Sequence, residues 1–356
     1  NVVGRGKQLA SLLLLGFGGL SCAPEQTSDR DDSDRRAIHW APHSFGGVIP
    51  SPARNPLTPA GIALGRRLFY DRSLSADGNV SCATCHRQSQ AFGDAQALAS
   101  SGVSGERLAR HAPVLQNLAW LDEGLFWDGG ASDLESLMAA PLTDEHEMAA
   151  DPEQLVAYLG NDSSYPEAFA QAFGAEPSIA FVMRALAQFV RTLISAQSPY
   201  DDYIAGHGSL SVGQLNGLRV FERACATCHP APFFTDHKFH NLGFETQFSD
   251  DPEDVRKGRG RITESPAHYG QFKTPSLRNV TRSAPYLHDG RMDDLRAVLE
   301  RYRSGIELVE GLDPVFRRQE GRLGLQLSTS EIDDLEAFLG ALEDPHFFTN
   351  PDWGAP

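Results

Sequence analysis

Two pentapeptides carry the thiol chemistry of this chain: Cys82-Ala83-Thr84-Cys85-His86 and, in its second half, Cys225-Ala226-Thr227-Cys228-His229. Cys-x-x-Cys-His is the spacing that attaches c-type haem. The two thiols add to the vinyl groups of a porphyrin, and the adjacent imidazole reaches the iron from the same side. A single copy also fits a redox dithiol or half of a zinc site. Two copies weaken those alternatives, because zinc ligands must converge and these pentapeptides sit in separate halves. His86 and His229 are therefore expected as the proximal ligands of two covalent haems. The fifth cysteine, Cys22, follows an apolar run, which leaves no disulfide to place.

Each motif needs a helix to hold it, and the sequence supplies one before each copy. Thr58-Pro59 is a cap followed by proline at the first helical position, leading into Ile62, Leu64, Leu68 and Phe69. Ser211 opens the second, with Leu215, Leu218 and Phe221 at helical spacing. Pro177 to Ser195 is apolar with the same period, and Ser328-Thr329-Ser330-Glu331 is a capping box before Ile332, Leu335, Phe338 and Leu339. Strict two-residue alternation is nearly absent, while 33 glycines and 22 prolines imply many turns. The expected fold is mainly α with little β: two similar halves joined by long loops and divided near Gly206, residues 51–205 and 206–356.

The 31 basic and 47 acidic residues leave a formal net charge of −16, which argues against nucleic acid and favours a basic partner. Arg5 and Lys7 followed by the apolar run Leu9–Leu20 read as an export signal over residues 1–21. Ser21-Cys22 then resembles a lipobox, with Cys22 acylated after cleavage; a periplasmic protein without a lipid and an uncleaved anchor are the alternatives. Residues 22–50 are expected as a disordered tether, and the protein as periplasmic and membrane-tethered.

Further motifs surround the two sites. Gly65-Arg66-Arg67-Leu68-Phe69-Tyr70-Asp71 precedes the first; Phe126-Trp127-Asp128-Gly129 and Glu147-Met148 follow it. Phe239-His240-Asn241-Leu242-Gly243, Lys273-Thr274-Pro275-Ser276-Leu277-Arg278-Asn279-Val280 and Ala284-Pro285-Tyr286-Leu287-His288-Asp289-Gly290-Arg291 follow the second. In this order the chain resembles the bacterial dihaem cytochrome c peroxidase family, which includes MauG, over nearly everything after Pro50. The resemblance implies two cytochrome c-like helical domains, an N-terminal peroxidatic haem, a C-terminal electron-transfer haem and a calcium ion between them.

It also implies roles for single residues. Trp127 matches the tryptophan between the haems; the alternative is an ordinary core indole. Glu147 matches the distal carboxylate that moves a proton between the oxygens of peroxide. By composition alone, Glu147 belongs to a solvated patch with Asp144, Glu145 and His146, and His146 competes for the role. A glutamine that many members carry is Leu137 here, and the loop Ser100 to Ala109 lacks the movable histidine of typical peroxidases, the nearest being His111. The first iron is thus expected with an open or water-bound position. Tyr302 falls at the axial position of the second haem, with Met292 or a plain core tyrosine as rivals. His288 matches a histidine near the haems or is structural. Calcium would use His111, Ser283 and Pro285, although imidazole suits that cation poorly. His237 and His240 are expected to line the second haem edge without binding a separate metal.

The implied activity is reduction of hydrogen peroxide at the first haem, with electrons relayed through the second from a basic periplasmic cytochrome c or cupredoxin. A MauG-like oxidase acting on a protein or organic substrate, and a dihaem carrier or sensor without substrate chemistry, are the competing functions.

Overall fold

The computed structural model describes residues 41–94, 102–121 and 123–356. The signal segment, Cys22 and the tether up to residue 40 lie outside the described residues. The fold is mainly helical, as expected; among the described residues the strands form one two-stranded antiparallel pair, β1 (Phe239–Asn241) and β2 (Gln271–Lys273), beside a few isolated bridges.

The same helical pair is built twice. Helix α1 (Pro59–Tyr70) starts where Thr58 accepts a hydrogen bond from the Gly61 amide, and it packs across α2 (Ile179–Arg191). Helix α3 (Val212–Ala224) starts at a reciprocal Ser211/Gln214 box and packs across α5 (Thr329–Gly340), itself capped by Ser328 and Glu331. Between them, α4 (Leu295–Ser304) begins at Asp294. Both crossings depend on a glycine. A Cβ on Gly65 would stand 1.9 Å from the Ala185 carbonyl oxygen, and one on Gly217 would stand 1.9 Å from that of Asp334. Phe189 and Phe338 fill equivalent places beside these glycines, and both are fully buried. The duplication thus extends from the pentapeptides to the packing that carries them.

Two main hydrophobic cores result, but their membership crosses the expected boundary at residue 206. Helix α6 (Pro345–Thr349) follows α5, yet Phe347 is fully buried in the first core, with Phe348 and Trp353 packed against it. Conversely, Tyr200, which follows α2 in sequence, packs against the second core. The crossing is fixed by polar groups. Asp344 accepts from the amides of Ala196 and Gln197, and its own amide donates to Asn279. The segments trailing α5 and α2 thus each pack on the core of the other half.

Within residues 41–50, expected at the end of the tether, Ala41, Phe45 and Ile49 are buried. Phe45 is buried against Trp120 and Phe233, at ring separations of 5.3 and 4.6 Å. An aromatic and the apolar Ile49 were enough to dock a stretch whose upstream composition is polar.

Candidate haem sites

The second pentapeptide ends α3, and His229 Nδ1 donates to the Phe234 carbonyl at 3.0 Å. That bond fixes the tautomer and leaves Nε2 as the ligating atom. Burial lowers the imidazole pKa to about 4, so the ring is neutral. Burial likewise pushes Cys225 and Cys228 up to about 12. These residues, with Tyr302, His240 and His288, line a cavity of about 1370 Å³ whose remaining wall is mostly Leu, Val and Phe side chains, joined by Trp127, Tyr286 and Lys273. Two uncharged thiols, a neutral imidazole and an apolar wall fit a porphyrin.

Tyr302 is reached from α4, and burial, then the Cys225 and Cys228 thiols, push its phenol pKa up. A metal cation in the cavity reverses that preference and favours the phenolate. Met292 does not line this cavity; its carbonyl accepts from the Tyr286 amide. His288 is buried, stacked on Phe272 at 3.6 Å, and its Nε2 lies 3.4 Å from Glu245. Glu245, His288 and Asp289 converge as metal ligands would, but the Arg291 guanidinium already bonds both carboxylates.

The first pentapeptide forms a one-turn helix, Cys82–Cys85, closed by Ser81 and Thr84. His86 Nδ1 donates to the Phe92 carbonyl at 2.7 Å, the counterpart of the His229 bond. Burial lowers the pKa of His86 and pushes Cys82 up to about 12, where Cys85 and Glu147 also act on it. Glu147 is thus within electrostatic reach of Cys82. It is half-buried, whereas Asp144 and Glu145 are exposed, and burial followed by Asp144 raises its carboxyl to about 7. His146 turns to the surface, 3.7 Å from Glu106 and 3.8 Å from Glu145.

A second cavity, of about 1080 Å³, lies between the halves. Leu115, Leu125, Phe126, Trp127 and Leu137 line it, as do His237, His111, Ser283 and Pro285. Cys82, Cys85 and His86 do not line it directly; Pro113, which does, acts on His86 through its carbonyl. Trp127 lines both cavities. Its indole N–H donates to the His111 carbonyl at 2.7 Å, and its own carbonyl accepts from the Lys273 amide.

The three residues expected around calcium, His111 and the Ser283 and Pro285 carbonyls, thus share one cavity, and the His111 groups are already engaged. The His111 ring bonds the Asp94 carbonyl, the His111 carbonyl takes the Trp127 indole, and the Ser283 hydroxyl donates to Val280. Oxygen ligation of calcium would therefore fall to the Ser283 and Pro285 carbonyls, with no carboxylate among the three.

Two groups escaped the sequence reading. Asp128, only 1% exposed, bridges Arg110 at 2.5 Å and Arg261 at 2.8 Å beside Trp127. Burial alone would raise its carboxyl, but the two guanidinium groups hold it below the usual range. His240 lies between Asp236 at 2.9 Å and Asp313 at 2.5 Å; burial opposes its charge, but the two carboxylates raise its pKa. The Trp-Asp-Gly sequence could have signalled Asp128; nothing local signals Asp313, which is distant in the chain.

Duplicated helical halves, each presenting two thiols and an oriented imidazole to an apolar interior, define a two-haem helical protein. A family model described as di-haem cytochrome c peroxidase matches residues 59–209. The chain is 36% identical over 301 residues to the methylamine utilization protein MauG of Methylophilus methylotrophus, covering 83% of this chain and 86% of that protein. It is 32% identical to a cytochrome-c peroxidase of Pseudomonas sp. (strain SCT), with 83% of each chain covered. A solved MauG-like protein associated with microbial copper homeostasis superposes with a TM-score of 0.76 at 30% identity, covering 86% of this chain and 96% of that one. The chain belongs to the di-haem cytochrome c peroxidase family that includes MauG, peroxidase-type oxidoreductases with two haem cofactors.

Proposed function

We propose that the two haems are covalent, held by Cys82, Cys85 and His86 and by Cys225, Cys228 and His229, and that the two irons are deliberately unlike. The observation that carries this reading is the different chemistry set beside each motif. A half-buried carboxyl titrating near 7, Glu147, accompanies the first, and a buried phenol, Tyr302, shares the cavity of the second. Haem, when bound, would supply the iron at which peroxide is reduced and the redox centres through which the donor's electrons pass. Glu147 then takes the proton from one peroxide oxygen and returns it to the other, which leaves as water. Its pKa near 7 suits both directions of that transfer. Tyr302 closes the second iron to peroxide and, as an anionic oxygen donor, stabilises its oxidised form. Trp127, in the wall common to both cavities, is the aromatic step between the halves.

The electron donor in this reading is a basic cytochrome c or cupredoxin, and the setting is periplasmic with Cys22 as lipid anchor. Calcium is not needed for it. A second reading, a MauG-like oxidation of a protein or organic substrate, draws on Tyr302 and on Leu137 in place of a polar pocket residue. Steady-state oxidation of a reduced cytochrome by peroxide separates the two. Rapid turnover supports the peroxidase, and a single oxidation without turnover supports the MauG-like chemistry.

A further inference from the structure

The two carbonyls that orient His86 and His229 belong to residues in an unusual conformation. Phe92 and Phe234 both have φ of 55°, in the left-handed region that non-glycine residues occupy only when their surroundings hold them there. Each ring is therefore part of the device that aims the carbonyl. Phe92 packs on Phe69 of α1 at 6.0 Å and on Phe347 at 5.6 Å. Phe234 packs on Phe221 of α3 at 5.6 Å and on Tyr200 at 5.2 Å. One partner in each pair comes from the half's own first helix. The other comes from the segment trailing the opposite half's second helix.

The crossed segments are pinned on both sides. Gln88, two residues beyond His86, donates to the carbonyls of Phe347 and Asn350, and Arg66 and Tyr70 hold the carbonyls of Pro351, Trp353 and Gly354. The Tyr200 amide donates to the Ala341 carbonyl at the end of α5, and Asp201 is bonded through both oxygens to the buried Arg278. We propose that the halves exchange clasps: Phe347 is a positioning residue for His86, and Tyr200 is a positioning residue for His229. Each acts through the carbonyl of the phenylalanine it covers, setting the direction and basicity of the imidazole. This rests on the reading of His86 and His229 as iron ligands.

The test is a crossed one, read by paramagnetic proton NMR and by the midpoint potential of each haem in the loaded protein. Phe347→Leu is expected to shift the imidazole and haem-methyl resonances and the potential of the first haem, leaving the second unchanged. Tyr200→Leu is expected to do the reverse, although residue 200 lies in the N-terminal half of the repeat. Gln88→Ala, which removes only two hydrogen bonds to the clasp, is expected to move the first haem in the same direction by less, and it keeps the test open if Phe347→Leu folds poorly. For Phe347→Leu and Tyr200→Leu, shifts in both haems together, in the haem of the residue's own half, or in neither while thermal stability falls, overturn the proposal; for Gln88→Ala, an unmoved first haem or a shift in the second does so. His86→Met is the control. If it leaves the first haem's spectrum unaltered, the ligand assignment itself has failed rather than the clasp.

Discussion

Glu147 shows why a carboxylate's role is a matter of burial within one turn. It follows Asp144, Glu145 and His146, and composition alone makes the four a solvated patch; the backbone leaves the first two outside and the fourth half-buried, within electrostatic reach of Cys82. Only its match to a family motif made it legible. As a base it must be ionised, and since its pKa is raised to about 7, the rate of the peroxide step is expected to rise with pH and level off above about 7. Glu147→Gln is expected to lower that rate about 10²–10⁴-fold and to abolish the inflection, with haem content unchanged; stopped-flow mixing with peroxide across pH measures both. Unchanged kinetics would remove Glu147 from the mechanism. At the second site, Tyr302→Phe is expected to alter the absorption spectrum of that haem alone, and an unperturbed spectrum contradicts ligation by the phenol. Tyr302 and Met292 were both legible as candidates, and that Tyr302 alone of the two lines the cavity is long-range packing that periodicity cannot supply.

At the scale of elements, α1, α2, α3 and α5 were readable from caps and apolar spacing, since those signals are local. The glycine at each crossing was not, because it matters only through the backbone of the facing helix. Gly65→Ala drives a methyl into the Ala185 carbonyl and is expected to cost about 1–3 kcal/mol, read from the denaturant midpoint at unchanged m-value. A neutral outcome would mean that the helices separate freely there. The Arg110–Asp128–Arg261 bridge ties the Trp127 loop to the segment after β1. Asp128→Asn leaves two guanidinium groups without their carboxylate, and a loss of about 3–5 kcal/mol is expected by the same measurement. Because the folded-state pKa of Asp128 is depressed, this stabilisation is present above its unfolded pKa. It is lost as pH falls through the folded value, so the wild type and the variant converge in acid.

Across the whole molecule, duplication was visible in the repeated pentapeptide, but the exchange of trailing segments was not. Tyr200 and Phe347 look like ordinary apolar residues of their own halves, and only long-range packing assigns them to the opposite cores. The formal charge of −16 belongs to this scale as well. Electron delivery from a basic donor protein is expected to slow steeply as ionic strength rises, whereas the reaction with uncharged peroxide is not. Donor oxidation that is indifferent to salt would argue for a neutral docking face. No helix among the described residues is long and apolar enough to cross a membrane.

The central claim is that the two irons are unlike, the one beside Glu147 with a place open to peroxide and the one facing Tyr302 closed. An electron paramagnetic resonance spectrum of the oxidised, haem-loaded protein tests it most directly. The account predicts one high-spin and one low-spin ferric signal in equal amounts. Two low-spin signals, persisting when peroxide is added, would contradict it and leave a protein that only carries electrons.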